Sequence, residues 1–244
     1  MFKLEANHFF MHMQNISECF FFKNLHSSPK VGLKGKECHL LYTSFTENFN
    51  AHSWSYYLNL VPDNLQKEVQ KYRRPQDKFN SLFGKLLIYV GYYLYFGKIL
   101  NLSQLHRDKF GKPFLYDGEL KFNISHSQDS VACLFGKGEV GLDMEAIRKI
   151  DINDFQKMFT SDEIKTIDKK GVLKFYEFWT IKEAVSKAIG KGFGANFLDI
   201  KINENYAEYE NKVWYTNGFM LDKKYYALAS EFQPSKLNVI NVIF

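Results

Sequence analysis

The chain has 244 residues, of which 45% are hydrophobic and 24% are charged, and its formal net charge is +5. This balance is typical of a globular protein and excludes wholesale disorder, while the modest positive excess suits an anionic ligand or an acidic protein partner. The longest apolar stretch, residues 86–97, is too short to cross a bilayer, and no signal-peptide pattern opens the chain. Three isolated cysteines are typical of free thiols in a reducing compartment, so we expect a cytoplasmic protein.

The first part of the chain predicts an extension, a strand and two helices. Residues 1–36 have no clear periodicity and are interpreted as an N-terminal extension. The composition of 39–45 favours a strand, and 65–74 has the apolar spacing of a helix that ends at Pro75. Asp77 can then cap a long helix, whose broad apolar stripe indicates burial on most sides.

The rest of the chain alternates strands with two further helices. Turn signals divide residues 107–148 into short strands, which predicts an antiparallel meander. Thr160 or Ser161 can cap the next helix, and a second helix is expected at 174–189. Residues 197–244 contain strand-like runs separated by turns.

The order of elements repeats approximately near residue 140, without visible repetition of the sequence. We therefore predict an α+β fold of two similar halves, 37–139 and 140–244, each a small antiparallel sheet with packed helices. The expected active site is a cleft between the halves. In the second half, Asn217-Gly218 is the clearest hairpin-turn signal.

The run VGLDMEAIR at 140–148 places two carboxylates on one face of a strand. Asp143 and Glu145 are two residues apart, so both point the same way, whereas Leu142 and Met144 point into a core. Two such acids are usually a solvated surface pair. They can also hold Mg²⁺, which is bound by a few carboxylates together with water and phosphate oxygens.

The helix at 174–189 carries Glu183 and Lys187 four residues apart. On spacing alone this is the favoured pair of a solvated helix surface. Trp179 lies one turn earlier on the same side, and a large aromatic residue is unusual on a solvated face. This indicates that the face is covered and that the charged pair needs partners.

Taken together, these two stretches resemble the 4′-phosphopantetheinyl transferases of the larger, two-half monomeric type, the Sfp-like superfamily. The resemblance covers roughly residues 39–230. No single motif is specific, but five occur in the family's order and spacing. They are G-K-P at 111–113, N-I-S-H-S at 123–127, V-G-L-D-M-E at 140–145, F-T-S-D-E at 159–163 and F-W-T-I-K-E-A-V-S-K-A-I-G at 178–190.

The resemblance implies a set of site residues. The metal ligands, for Mg²⁺ or Mn²⁺, are Asp143, Glu145 and Glu183. Glu183 is also implied as the catalytic proton acceptor, and Lys187 as the catalytic cation at the diphosphate. Coenzyme A is the co-substrate, and the residues implied to bind it are Ser81, Lys112, Pro113, Ser125, His126, Lys182 and Lys187.

The first long helix departs from the family pattern. Asn80 stands where the family usually carries an arginine, while the hydroxyl of Ser81 is kept. A neighbouring basic residue can supply the missing charge, and the sequence does not say which one. The candidates are Lys67, Lys71, Arg73, Arg74 and Lys78.

The implied reaction is Mg²⁺-dependent transfer of the 4′-phosphopantetheine group of coenzyme A to a serine hydroxyl of an apo acyl or peptidyl carrier protein, with release of adenosine 3′,5′-bisphosphate. A monomer is expected, without nucleic-acid or membrane partners. Another Mg²⁺-dependent phosphate-ester or nucleotide hydrolase is the first alternative. The second is a single-stranded nucleic-acid binding module, which short aromatic strands favour and the central acids oppose.

Overall fold

The computed structural model describes six stretches of the chain, and most of the predicted extension, 1–36, lies outside them. The stretches are residues 18–21, 35–45, 51–116, 118, 120–191 and 194–244. The helices are α1 (Ala51–Leu58), α2 (Asp63–Gln70), α3 (Pro75–Phe96), α4 (Ser161–Lys170) and α5 (Val172–Ile189). The strands are β1 (Glu18–Phe21), β2 (Glu37–Ser44), β3 (Leu105–Arg107), β4 (Pro113–Leu115), β5 (Lys121–Ser127), β6 (Ser130–Gly136), β7 (Val140–Ala146), β8 (Lys201–Ile202), β9 (Tyr206–Tyr209), β10 (Lys212–Leu221), β11 (Lys224–Ser230) and β12 (Lys236–Ile243).

The strands form two five-stranded sheets and a small hairpin. The first sheet has the order β1-β12-β2-β6-β5, the second has the order β7-β11-β10-β9-β8, and β3 pairs with β4. This confirms the predicted α+β fold built from two halves. The first sheet is mixed rather than antiparallel, because the last strand, β12, returns to it and runs parallel to both β1 and β2.

Strand β7 differs from the predicted meander. It pairs with β11, not with β6, so it is the edge strand of the second sheet. Leu142 and Met144 are fully buried, as predicted, in a core cluster shared with Leu40 of β2 and Leu134 of β6. This core lies between the two sheets and holds them together.

The helix boundaries correct two details. Pro75 occupies the first turn of α3 with Arg74 at its N-cap, so this proline begins a helix instead of ending the previous one, which stops at Gln70. Asp77 therefore lies inside the first turn of α3 rather than at its cap. Helix α1 was not predicted. Thr160 caps α4 through a reciprocal pair of hydrogen bonds with Glu163, as one of the two predicted alternatives.

The predicted turn at Asn217-Gly218 is wrong. Both residues lie inside β10, where Gly218 pairs with Ala227. The turn between β10 and β11 falls at Asp222 and Lys223, whose φ angles are 47° and 60°. Gly218 is needed for packing instead, because a Cβ there would lie 2.5 Å from the Tyr225 hydroxyl oxygen.

Helix α5 is buried on most of its surface. Ile181, Val185 and Ala188 pack against the second sheet. Trp179 contacts the rings of Phe155 and Phe197, so its face is covered, as predicted. Within the stretches that the structure describes, no helix combines the length and apolarity that a membrane crossing needs.

Candidate functional site

A glycine brings strand β7 onto helix α5. A Cβ at Gly141 would lie 2.5 Å from the Ala188 amide nitrogen and still closer to the Ala184 carbonyl oxygen. Only glycine permits this approach of backbone to backbone. The acids of β7 consequently lie along the helix that carries Glu183 and Lys187, which the sequence alone left open.

The centre of the site is an ion pair between the two elements. Lys187 Nζ donates to Asp143 Oδ1 at 2.6 Å and to Ser125 Oγ at 3.1 Å. The Ser125 hydroxyl in turn donates to Asp143 Oδ1, also at 3.1 Å. Asp143 is 5% exposed, and its second oxygen, Oδ2, is buried without a hydrogen-bond partner among the described residues. One carboxylate oxygen therefore remains for another positively charged group.

The other two acids, Glu145 and Glu183, lie in surroundings that disfavour their charged forms. Burial raises the pKa of Glu145 above its ordinary value, and the negative charge of Asp143 raises it further. Burial also raises the pKa of Glu183; Lys187 opposes this shift, whereas Asp143 and Glu145 add to it. Three carboxylates thus repel one another across a small space that Lys187 neutralises only in part.

The three carboxylates do not form a closed metal centre in this structure. Among the described residues, no three or more histidine, cysteine, aspartate or glutamate side chains converge closely enough to hold a metal ion. Mutual repulsion and the open oxygen of Asp143 nevertheless fit a divalent cation, which such acids need to lie side by side.

Next to the acids is a pocket of about 530 Å³ that both halves line. This volume lies within the usual range of small-molecule sites. The predicted coenzyme A residues that line it are Ser81, Lys112, Pro113, His126 and Lys187. Lys187 therefore faces both the pocket and Asp143, while Ser125 contacts Lys187 from the buried side.

Two cations of the pocket were missed by sequence reasoning. Lys85 lines the pocket and donates to Ser81 Oγ at 2.9 Å and to Glu68 Oε1 at 3.3 Å. Arg107 also lines it, and its Nη2 lies 2.7 Å from the same Glu68 oxygen. None of the five basic candidates near Asn80 lines this pocket. The spacing of four between Ser81 and Lys85 on a helix was the available signal.

Lys112 and His126 lie at the α5 side of the pocket. Lys112 Nζ donates to Glu139 Oε2 at 2.9 Å and to the Ala188 carbonyl at 3.3 Å, which ties the G-K-P loop to the end of α5. Partial desolvation in the pocket lowers the pKa of His126 although its side chain is exposed; the ammonium group of Lys187 lowers it further, whereas Asp77 and Asp143 oppose the shift. His126 is therefore mainly neutral near pH 7 and can donate one hydrogen bond to a ligand.

The structure does not bring Lys182 to this pocket. Its side chain is fully buried on another side of α5. Nζ donates to Glu163 Oε2 at 2.8 Å and to the carbonyls of Phe197 and Met158 at 2.8 and 3.2 Å. These acceptors use all three donors of the ammonium group. Lys182 thus joins α5 to the start of α4, and the geometry gives no support to its expected role in binding coenzyme A.

Comparison with known proteins matches both halves. Residues 139–234 match the model of the 4′-phosphopantetheinyl transferase superfamily, and residues 48–136 match that of the 4′-phosphopantetheinyl transferase N-terminal domain. A 4′-phosphopantetheinyl transferase of Aneurinibacillus migulanus is 32% identical over 174 residues, which cover 68% of this chain and 71% of the relative. The chain belongs to the Sfp-like 4′-phosphopantetheinyl transferases. This confirms the resemblance and the predicted enzyme class.

Two further relatives share a lower identity with this chain. A putative member from Synechocystis is 28% identical over 164 residues, covering 63% of this chain and 67% of the relative. The transferase Sfp of Bacillus subtilis is 23% identical over 141 residues, covering 56% and 63%. The two matched regions meet between β6 and β7, which is where the two sheets separate. A 4′-phosphopantetheinyl transferase with two halves is therefore consistent with both the fold and the comparisons.

Proposed function

We propose that the chain transfers the 4′-phosphopantetheine group of coenzyme A to a serine hydroxyl of an apo acyl or peptidyl carrier protein. The single observation that carries this proposal is the position of Lys187. Its ammonium group lines the cationic pocket and also pairs with Asp143 at the acid cluster. One ligand with a diphosphate can thus contact the pocket and the acids at the same time.

The pocket would hold the adenosine and 3′-phosphate end of coenzyme A. Lys85, Arg107 and Lys112 supply positive charge around it, and Ser81 and His126 supply further polar groups. Lys85 and Arg107 take over the charge that Asn80 lacks. Because Ser81 Oγ accepts a hydrogen bond from Lys85, its own proton is available for a phosphate oxygen.

Asp143, Glu145 and Glu183 would hold the divalent cation, for which Mg²⁺ and Mn²⁺ are the candidates. The unpartnered Asp143 Oδ2 and the raised pKa values of the two glutamates support this assignment. When bound, the cation would supply charge stabilisation for the diphosphate oxygens.

Lys187 would hold the diphosphate where the pocket meets the acids, and Glu183 would accept the proton of the attacking serine. Glu183 precedes Lys187 by one turn of α5, so the proton acceptor and the diphosphate cation would lie on the same side of the helix. The bond broken joins the β-phosphorus to the bridging oxygen. The serine oxygen forms the new bond, and adenosine 3′,5′-bisphosphate leaves with the electron pair.

The chain would act as a cytoplasmic monomer. Cys38 and Cys133 are buried free thiols, as in a reducing compartment. Since the chain is basic and carriers of this kind are acidic, the KM for the carrier should rise with salt.

The test is the mass of a purified apo-carrier after incubation with coenzyme A, Mg²⁺ and the enzyme. Wild type should add one phosphopantetheine group. Glu183→Gln, which removes the proton acceptor, and Asp143→Ala, which removes a metal ligand, should each lose at least about 100-fold in rate. Glu177→Gln is the matched control, because Glu177 lies on the same helix but pairs with Lys174. Wild-type rates in Glu183→Gln would overturn the proposal.

A further inference from the structure

Side chains of β5 take the place of a neighbouring strand along the free edge of β7. Among the strands that the structure describes, β7 ends its sheet and none pairs with its outer edge. Asn123 Oδ1 accepts a hydrogen bond from the Leu142 amide at 2.9 Å, and Ser127 Oγ accepts one from the Ala146 amide at 3.0 Å. Residues 123, 125 and 127 alternate along β5 and share one face. This seam fixes the register between the two sheets beside the acid cluster.

Ser127 makes a second contact that Asn123 lacks. Its hydroxyl donates to Glu145 Oε2 at 3.1 Å. The serine is 8% exposed, so water competes little for either hydrogen bond. The Ala146 amide occupies a lone pair of Oγ and orients the hydroxyl proton towards the carboxylate. This hydrogen bond holds the Glu145 carboxylate through Oε2 and leaves Oε1 available to another partner.

We infer that Ser127 is a positioning residue, which holds the Glu145 carboxylate in the orientation that receives a divalent cation. The inference rests on the proposed function, in which Glu145 is a metal ligand. Residues that hydrogen-bond to a metal ligand and orient it contribute strongly to metal affinity. Their loss typically lowers metal affinity or activity 10–100-fold. Ser127 does not line the pocket, so it should not affect coenzyme A directly.

The experiment compares Ser127→Ala with Ser130→Ala. Ser130 is the register partner of Ser127 at the end of the same hairpin and is 1% exposed. Its hydroxyl bonds with Ser44 and Asp129 and with no acid of the site. Both variants therefore lose a buried hydroxyl from one hairpin, but only one of them releases Glu145. Each variant is titrated with MgCl₂ in the absence of coenzyme A, and the shift of its thermal unfolding midpoint is measured.

Ser127→Ala should raise the Mg²⁺ concentration for half-maximal thermal shift, and for half-maximal transfer, by about 10-fold. Its KM for coenzyme A at saturating Mg²⁺ should stay at the wild-type value, and Ser130→Ala should match wild type in both Mg²⁺ titrations. Equal Mg²⁺ dependence of the two variants would overturn the inference even if both are less stable. If wild type shows neither transfer nor a Mg²⁺-dependent shift, the proposed function itself fails.

Discussion

The contact between β7 and α5 can be tested by a single methyl group at Gly141. The added Cβ of Gly141→Ala would lie 2.5 Å from the Ala188 nitrogen and closer to the Ala184 carbonyl oxygen, whereas real Cβ atoms essentially never approach within 3.0 Å. Both opposing atoms belong to the backbone of a helix, so no side chain can move aside. Strand and helix must therefore separate.

Moving the strand away from the helix should lower the free energy of unfolding and also disturb the site. Overpacking of a buried site costs about 1–3 kcal/mol and occasionally more, and we expect about 3 kcal/mol because rigid backbone opposes the methyl group. The Lys187–Asp143 pair, 2.6 Å long, spans the same two elements and should lengthen with the shift. Transfer should consequently fall even under conditions in which the variant stays folded.

The assay is urea unfolding followed by circular dichroism, together with the transfer rate in buffer. The midpoint of Gly141→Ala should fall by about 1 M or more, given m values of about 1–3 kcal/mol per molar urea. Gly194→Ala is the matched control, because Gly194 is exposed and its nearest neighbour to an added Cβ lies 3.9 Å away. If Gly141→Ala unfolds and reacts like Gly194→Ala, the close contact of strand and helix is refuted.

Three further substitutions test separate parts of the structure. Lys85→Met should raise the KM for coenzyme A about 10-fold, because hydrogen bonds to charged groups contribute about 1.5–3 kcal/mol, whereas Lys78→Met, outside the pocket, should not. Lys182→Met should cost about 3–5 kcal/mol of stability, since it leaves Glu163 without its buried cation, but the KM for coenzyme A should not change. His39 is fully buried, and burial lowers its pKa to about 4 although Glu37 opposes the shift. As pH falls from 6.5 towards 4, the unfolded chain binds a proton at His39 before the folded protein does, so the stability present above pH 6.5 is progressively lost. His39→Gln should therefore weaken the pH dependence of the urea midpoint.

Each of these expectations has a contrary result. An unchanged KM in Lys85→Met would remove Lys85 from the binding pocket. A large rise in KM for Lys182→Met, measured while the variant is folded, would show that this lysine does bind coenzyme A. A urea midpoint whose pH dependence between 7 and 4.5 is the same in His39→Gln and wild type would show that the buried imidazole is not the group titrated.

Local patterns in the sequence predicted much of the second half correctly. The period of two placed Leu142 and Met144 in the core, and Trp179 indicated a covered helix face. The motifs of the family supplied Lys112, Lys187 and Asp143, which the structure places in or beside the pocket. Spacing alone did not decide whether Glu183 and Lys187 were solvated, because a surface pair and a site pair look identical at four residues apart.

The features that sequence reasoning missed depend on long-range packing. Strand β12 joins the first sheet although it follows the second half, and no local pattern marks that return. Gly218 suggested a turn, but it makes room for the Tyr225 ring within a ladder. Lys182 and Lys187 were both expected to bind coenzyme A. The Lys182 side chain, however, points from a different side of α5 and pairs with Glu163.

The stoichiometry of the two products separates a transferase from a hydrolase. Wild-type enzyme is incubated with coenzyme A and Mg²⁺, with and without an apo-carrier, and both the carrier mass and the released adenosine 3′,5′-bisphosphate are measured. A transferase releases one bisphosphate for each carrier that gains phosphopantetheine, and essentially none when the carrier is left out. Release of bisphosphate at the same rate without a carrier would contradict the account and identify a hydrolase.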